Sequence, residues 1–539
     1  MKPIDVGQLK IAPYELERIL ELKINKPLND HSTLYVYGIV KDENEISPVT
    51  DSEVSTRITC TNEEQLYFNG ILQEVKLTIV DAVYYIEIYA ISNTILLDTK
   101  RYNRSFQDND ENYQSIVETV ISKKEAVVEY HAAEKTVENI ILQYNETDWE
   151  FAKRLASHTQ DVLIPITTDS AIPVFHYGVP DKGDSIIDSA DYSITRNYNT
   201  YRDMSTEPEP LTESEVTVYT VETDELLGEL GEKLTLNGIE LHIRHITITL
   251  TGAALTVTYT LCDKNGISTP KQYNHAITGL TLDGTVLEVE KDTLKLHLYI
   301  DKAEDRDQDA ATAHLFKYAT NYSAETHTGW YVMPEEGDRV QLYFPTEDEK
   351  DAYAASSIRK DDTERTTDPL VKYWRTTFGK EIKMNDKEIL ITSRDDTTYI
   401  RINEDTGIEI ITPQPIQVHG GSTLQITSAD DMSIATRSNL HIQARNSITM
   451  VCGENVMRFV PSTGIAVSTD KNFELQSKED TILDSSQDLT VKTANNMQMD
   501  IGSELSGTAQ TNIELKGNTS TIILEGAGID IKAAKINEN

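Results

Sequence analysis

From Ile400 onward, apolar residues recur in pairs at a step of eight, and that period limits what the last third of the chain can fold into. Ile408 and Ile410 are followed by Ile416 and Val418, Leu424 and Ile426, Met432 and Ile434, and Leu440 and Ile442. The step runs through Ile448 and Met450 to Val456 and Arg458, slips by one residue near Phe459, and resumes at Ile465. Later pairs include Leu489 and Val491, Ile513 and Leu515, and Ile529 and Ile531. Seventeen repeats offer 34 such positions and 30 are apolar, whereas the chain-wide hydrophobic share of 38% predicts about 13. The period is a property of the fold, not a fluctuation.

Residues i and i+2 of a strand face the same side, so each repeat supplies one short strand with two inward side chains. The intervening Ser, Thr, Asn, Asp and Lys suit an outer face and a turn. One such strand cannot enclose a core. Either a single chain coils with two or three repeats per turn, or three chains wind together, each forming one wall of a prism. The second arrangement pairs every backbone group with a neighbouring chain. At an inter-strand spacing of about 4.8 Å, the 17 repeats would make a stiff rod of roughly 80 Å. A coiled coil is excluded, because its period is about 3.5.

Upstream, short alternating runs dominate. LYVYGIV, STRITC, QEVKLTIV and AVYYIEIYA read as strands before residue 100. YQSIVETVISKK reads as a helix with Ile116, Val117, Val120 and Ile121 on one side. A second helix opens within YNETDWEFAKRLA, with Asn145 or Thr147 as N-cap and Trp149, Phe151 and Leu155 as its buried stripe. STEPEPLTESE (205–215) reads as a linker or exposed loop. Beyond it, alternation broken at Asn237-Gly238 and Gly252 predicts a small antiparallel sheet or barrel. The fold class expected is therefore mainly all-β.

With 89 Asp and Glu against 49 Lys and Arg, the surface repels phosphate backbones, which removes nucleic acid from the expected partners. Three distant cysteines, Cys60, Cys262 and Cys452, argue against a disulfide framework and for assembly in a reducing cytoplasm. The N-terminus shows no signal peptide and no stretch reaches the roughly 20 apolar residues of a membrane helix.

Catalytic and metal-binding patterns are weak. His242 and His245 stand three apart on a predicted strand and would face opposite sides. Asp108, Asp110 and Asn112 imitate the start of a calcium loop, but Tyr113 occupies the glycine position and Thr119 the place of the final Glu. There is no GxSxG and no Gly-rich phosphate loop. Glu335-Glu336 reads as a turn before Gly337. No catalytic residue, metal ligand or cofactor is expected, and no enzyme activity.

Three stretches resemble one family, the VgrG-type spikes and phage baseplate hub and spike proteins of contractile injection systems. YNETDWEFAKRLA, with Tyr144, Asn145, Asp148 and Trp149, is similar to the hub signature. GWYVMPEEGDRVQLYF, with Trp330, Pro334, Gly337 and Asp338, resembles the family's oligosaccharide/oligonucleotide-binding (OB) barrel. The octad stretch is similar to its trimeric β-helix. The resemblance implies two small hub β-barrels with short inserted helices over 1–270, an OB-fold barrel over 275–355, a linker over 356–380 and a β-helical needle over 381–539.

It further implies a homotrimer that caps an inner tube protein, contacts baseplate components and punctures a target envelope, touching the membrane only on firing. Assembly in the cytoplasm and delivery out of the cell or into a target cell on contraction would follow. Only about 25 residues separate barrel and needle, too few for an inserted lysozyme domain. The stretch after Ile531, KAAKINEN, has no metal-binding tip cluster and leaves no room for a toxin, so a separate PAAR-type tip protein and effectors are the expected partners. The competing expectation is a tail-fibre-like or polysaccharide-binding β-helix. Against it, the aromatics of 380–539 are only Tyr399, Phe459 and Phe473.

Overall fold

A computed structural model describes residues 6–524 apart from 41–48, 63–64, 189, 253, 324–325, 327, 360–366, 395–396 and 519–520. Strands hold 41% of the chain and helices 11%, so the fold is mainly all-β. Two compact units are present, Met1–Pro413 and Gln414–Asn539.

In the first unit, strands from both ends of residues 10–262 join one 12-stranded sheet. The alternation read in LYVYGIV buries Leu34, Val36 and Val40, and Ile86, Ile88 and Ala90 do the same on the neighbouring strand. Leu16–Lys26 pairs antiparallel with Ile239–Thr251, from Ile246 opposite Lys26 to Thr251 opposite Glu21. That pairing merges the two expected hub strand groups around a common core. Lys26, almost fully buried, is held by both carboxylate oxygens of Glu229 at 2.7 and 2.8 Å. Asn237 and Gly238 take φ of 48° and 83°, making the two-residue turn between Lys233–Leu236 and Ile239–Thr251.

Between these strand groups lies a helical lobe with its own core. Helix α1 (Tyr113–Ile121) buries the four apolar residues read from its period, and Asn112 caps it. Helix α2 (Asp148–Ser157) is capped by Thr147, whose hydroxyl accepts from the Glu150 N–H while the Glu150 carboxylate accepts from the Thr147 N–H. The loop at 205–215 is not a linker: Leu211 packs with Met204 and Val216, and strands on both sides of it belong to the same sheet.

Residues 281–358 form a five-stranded antiparallel sheet in the order Leu315–Lys317, Thr293–Leu298, Thr281–Glu290, Arg339–Tyr343, Tyr353–Ile358. A parallel bridge between Tyr318 and Ala354 brings the two outer strands together, giving the connectivity of a five-stranded Greek-key barrel. Its core includes Leu294, Leu296, Phe316, Leu342 and Phe344, and also Ile140 and Leu142 from the hub side.

Two expectations about the C-terminal region are corrected. The boundary between a linker ending at 380 and a needle starting at 381 falls inside a five-stranded antiparallel meander running from Lys372 to Ile411. Ile408 and Ile410 therefore lie opposite Ile402 and Ile400 on a hairpin. Their pairing preserves parity, so an eight-residue step keeps side chains on one face of a meander as well as in a coil, and the period alone does not separate the two.

The phase slip is the second correction. Ile448–Cys452, Asn455–Val460 and Gly464–Ser468 form a three-stranded meander in which Met450 opposes Met457 and Met457 opposes Val467. Met457 and Phe459 thus share the face of Ile448, Met450, Ile465 and Val467, in place of the expected Val456 and Arg458. The shift arises at the two-residue turn Gly453-Glu454, not near Phe459, because a two-residue loop pairs residues of opposite parity.

Candidate functional site

The stretches 412–447 and 469–512 carry no strand among the described residues. Bends instead fall at 413–414, 421–422, 429–430, 437–438 and 445–446, then at 470–471, 478–479, 486–487, 494–495, 502–503 and 510–511. Each bend is followed by a segment whose second and fourth residues are the octad pair. The backbone thus repeats every eight residues, displaced by one across the meander.

Ile416, Val418, Leu424, Ile426, Met432, Ile434, Leu440, Ile442, Leu489, Val491 and Leu515 are all exposed, with Ile426 and Ile434 at 73% and 72%. Ile513 is half-buried on the short strand Ile513–Lys516. Ile529 and Ile531 lie outside the described residues. A soluble chain rarely leaves a contiguous apolar patch above a few hundred Å² uncovered unless something docks there. Among the described residues the segment therefore offers an exposed apolar stripe on a backbone without strand pairing, a surface suited to assembly.

The YNETDW motif is a junction between cores. Strand Ile141–Thr147 places Ile141 in the helical lobe and Leu142 in the barrel core, with Tyr144 packed beside it. The Tyr144 carbonyl accepts from the Asn274 amide at 2.8 Å. Asn145 takes φ of 53°, and its N–H donates to Asn103 Oδ1 at 2.8 Å. Asp148 is buried against Arg104 at 2.7 Å, and Trp149 packs between the rings of His31 and Phe175. One turn on, the buried Arg154 meets Glu146 at 2.8 Å and Glu349, beside the barrel, at 2.9 Å. Burial alone would lower the Arg154 pKa, but the two carboxylates outweigh it and hold the guanidinium charged.

The second motif is a turn. Gly337 takes φ of 85° and its N–H donates to the Val286 carbonyl at 2.9 Å, while Asp338 Oδ2 accepts from the Glu335 N–H at 2.9 Å. Buried Pro334 precedes it, and Arg339–Tyr343 then enters the barrel. Trp330 remains more than half exposed and stacks on Trp374 at 5.8 Å.

His242 Nδ1–H donates to the Gly231 carbonyl and His245 meets Asn25, so the two histidines serve separate structural contacts. Asn112 is a helix cap rather than a calcium ligand. One cluster escaped sequence reasoning: Glu129, His131 and His176 lie together, although 45 residues separate the two histidines. Parallel pairing of Val174–Tyr177 with Val127–Tyr130 causes this, and no local spacing could have shown it. Burial pushes His176 down to about 4. Among the described residues no helix is long and apolar enough to cross a membrane.

Residues 28–159 match the family described as phage tail baseplate hub (GPD), and residues 395–536 match a family described as an uncharacterized protein conserved in bacteria (DUF2345). No curated protein sequence matches. Among solved structures, the Escherichia coli c3393 protein, described as a type VI secretion component similar to the bacteriophage T4 tail proteins gp27 and gp5, is 13% identical with a TM-score of 0.48. That match covers 65% of this chain and 99% of c3393. The Francisella PdpA–VgrG complex matches at 9% identity and a TM-score of 0.49, over 75% of this chain and 87% of that one. A Neisseria meningitidis tail protein matches at 12% identity and a TM-score of 0.36, over 49% and 98%. The chain thus carries a phage tail baseplate hub (GPD) domain near its start and a DUF2345 domain near its end, in keeping with the resemblance to VgrG-type spikes and phage baseplate hub proteins.

Proposed function

We propose that this chain is the structural spike of a contractile injection machine, working as a homotrimer that caps the inner tube and pierces the target envelope without enzymatic activity. The observation that carries this reading is the exposed octad stripe on stretches that form no strand among the described residues. Three copies winding together would bury Ile416 through Leu515 along one axis and pair backbone groups between chains. In this reading residues 275–355 act as the OB barrel, and the rod transmits force to a tip. The tube protein, baseplate components and a separate PAAR-type tip protein with its effectors are the partners. Assembly takes place inside the producing cell and delivery on contraction.

Light scattering on the full chain tests the assembly. A particle of three times 60.6 kDa that persists on dilution is expected; a monodisperse monomer would overturn the proposal.

A further inference from the structure

We propose that Glu129, His131 and His176 form a divalent transition-metal site on the outer face of the helical lobe, suited to Zn²⁺ and open at one position. Glu129 and His176 face each other in register on parallel strands. His131 follows Glu129 by two residues and so projects to the same side. Its N–H donates to the Tyr177 carbonyl at 2.8 Å, extending the strand pairing to the site. On the opposite face, Phe175 and Tyr177 are locked in the core, so the scaffold beneath the three ligands is rigid.

The ligand atoms are already gathered. His131 Nε2 lies 2.9 Å from His176 Nδ1; Glu129 Oε2 lies 3.2 Å from His176 Nδ1 and 3.9 Å from His131 Nε2. Around a tetrahedral ion with bonds of about 2.0–2.1 Å, ligand atoms stand about 3.3 Å apart, so a shift of a few tenths of an ångström accommodates it. Two imidazoles and one carboxylate are the donor set of many open zinc sites. The Glu129 side chain is about half exposed, so solvent reaches the cluster. A water or a ligand atom from a docked partner would complete it.

The bland alternative is a shared proton: one ring nitrogen donates to the other while Lys182 Nζ sits 3.2 Å from the same Glu129 oxygen. That lysine competes with a metal for the carboxylate, but it is itself half exposed and free to swing into solvent. Removing it would free the carboxylate for a metal.

Chelator-treated full-length protein is titrated with Zn²⁺ by calorimetry and with Co²⁺ by visible absorption. One ion per chain and the intense bands of four-coordinate Co²⁺ are expected. His131→Ala, at a partly exposed position that the fold tolerates, and Glu129→Gln should each weaken binding by at least about tenfold. Lys182→Ala should leave it unchanged or tighten it. Absence of binding, or equal binding by wild type and both ligand variants, would overturn the site, as would loss of binding in Lys182→Ala.

Discussion

Arg154 shows how one side chain can tie two cores together. Its guanidinium is almost fully buried and divided between Glu146 on the hub strand and Glu349 beside the barrel. Such a pair adds little net stability, yet removing one partner strands the others in a low-dielectric setting at a cost of about 3–5 kcal/mol. Arg154→Ala should therefore lower the chemical-denaturation midpoint sharply, and Arg154→Lys should restore only part, because one ammonium cannot fork between two carboxylates. His158 supplies a pH dependence. Desolvation, with Arg154 and Lys271 nearby, pushes it down to about 3, and its Nε2 bonds the Gln272 carbonyl. Its folded pKa lies below its unfolded value, so the unfolded chain binds the extra proton. Stability falls as pH drops from about 6.5 toward 3. His158→Gln, which keeps a donor for that carbonyl, should flatten the decline between pH 6.5 and 4 in thermal melts. The thiols of Cys60 and Cys262 are buried and pushed up to about 12, so both should resist alkylation until the protein is denatured.

Among elements, the octad stretches and the meander between them behave differently. In 412–447 the stripe pairs sit on segments separated by bends, so a charge there would be buried three times over in a trimer. Ile434→Asp with Ile442→Asp should abolish assembly in size-exclusion chromatography, whereas Ser433→Asp should leave it intact. Equal effects would refute the assigned register. In the meander the register depends on the Gly453-Glu454 turn, which places Met457 on the apolar face and Val456 on the other. Met457→Asp should therefore impair assembly more than Val456→Asp, the reverse of what an uninterrupted eight-residue step predicts. The helices were easier to read. The cap at Thr147 and the buried stripe of α2 follow from local hydrogen bonding and a 3.6-residue period, and both were legible in YNETDWEFAKRLA.

Across the whole molecule, the sequence by itself determined the β character, both helices with their buried faces, the eight-residue stripe and the two family motifs. These are local or periodic properties, set by which side of a strand or helix each residue faces. Its strong net negative charge of -40 also spoke against nucleic-acid partners without any coordinates. Only the tertiary structure decided how distant segments meet. It joined Leu16–Lys26 to Ile239–Thr251 in one sheet, and drew Ile140 and Leu142 into the barrel core. It also made a meander of 372–411, and set Glu129 beside His176. Strand pairing is a contest among many edges of similar hydrogen-bonding capacity, and long loops separate the winners at small entropic cost. Which edges pair is therefore settled by the packing of the entire core, and alternation within any single strand carries no record of it.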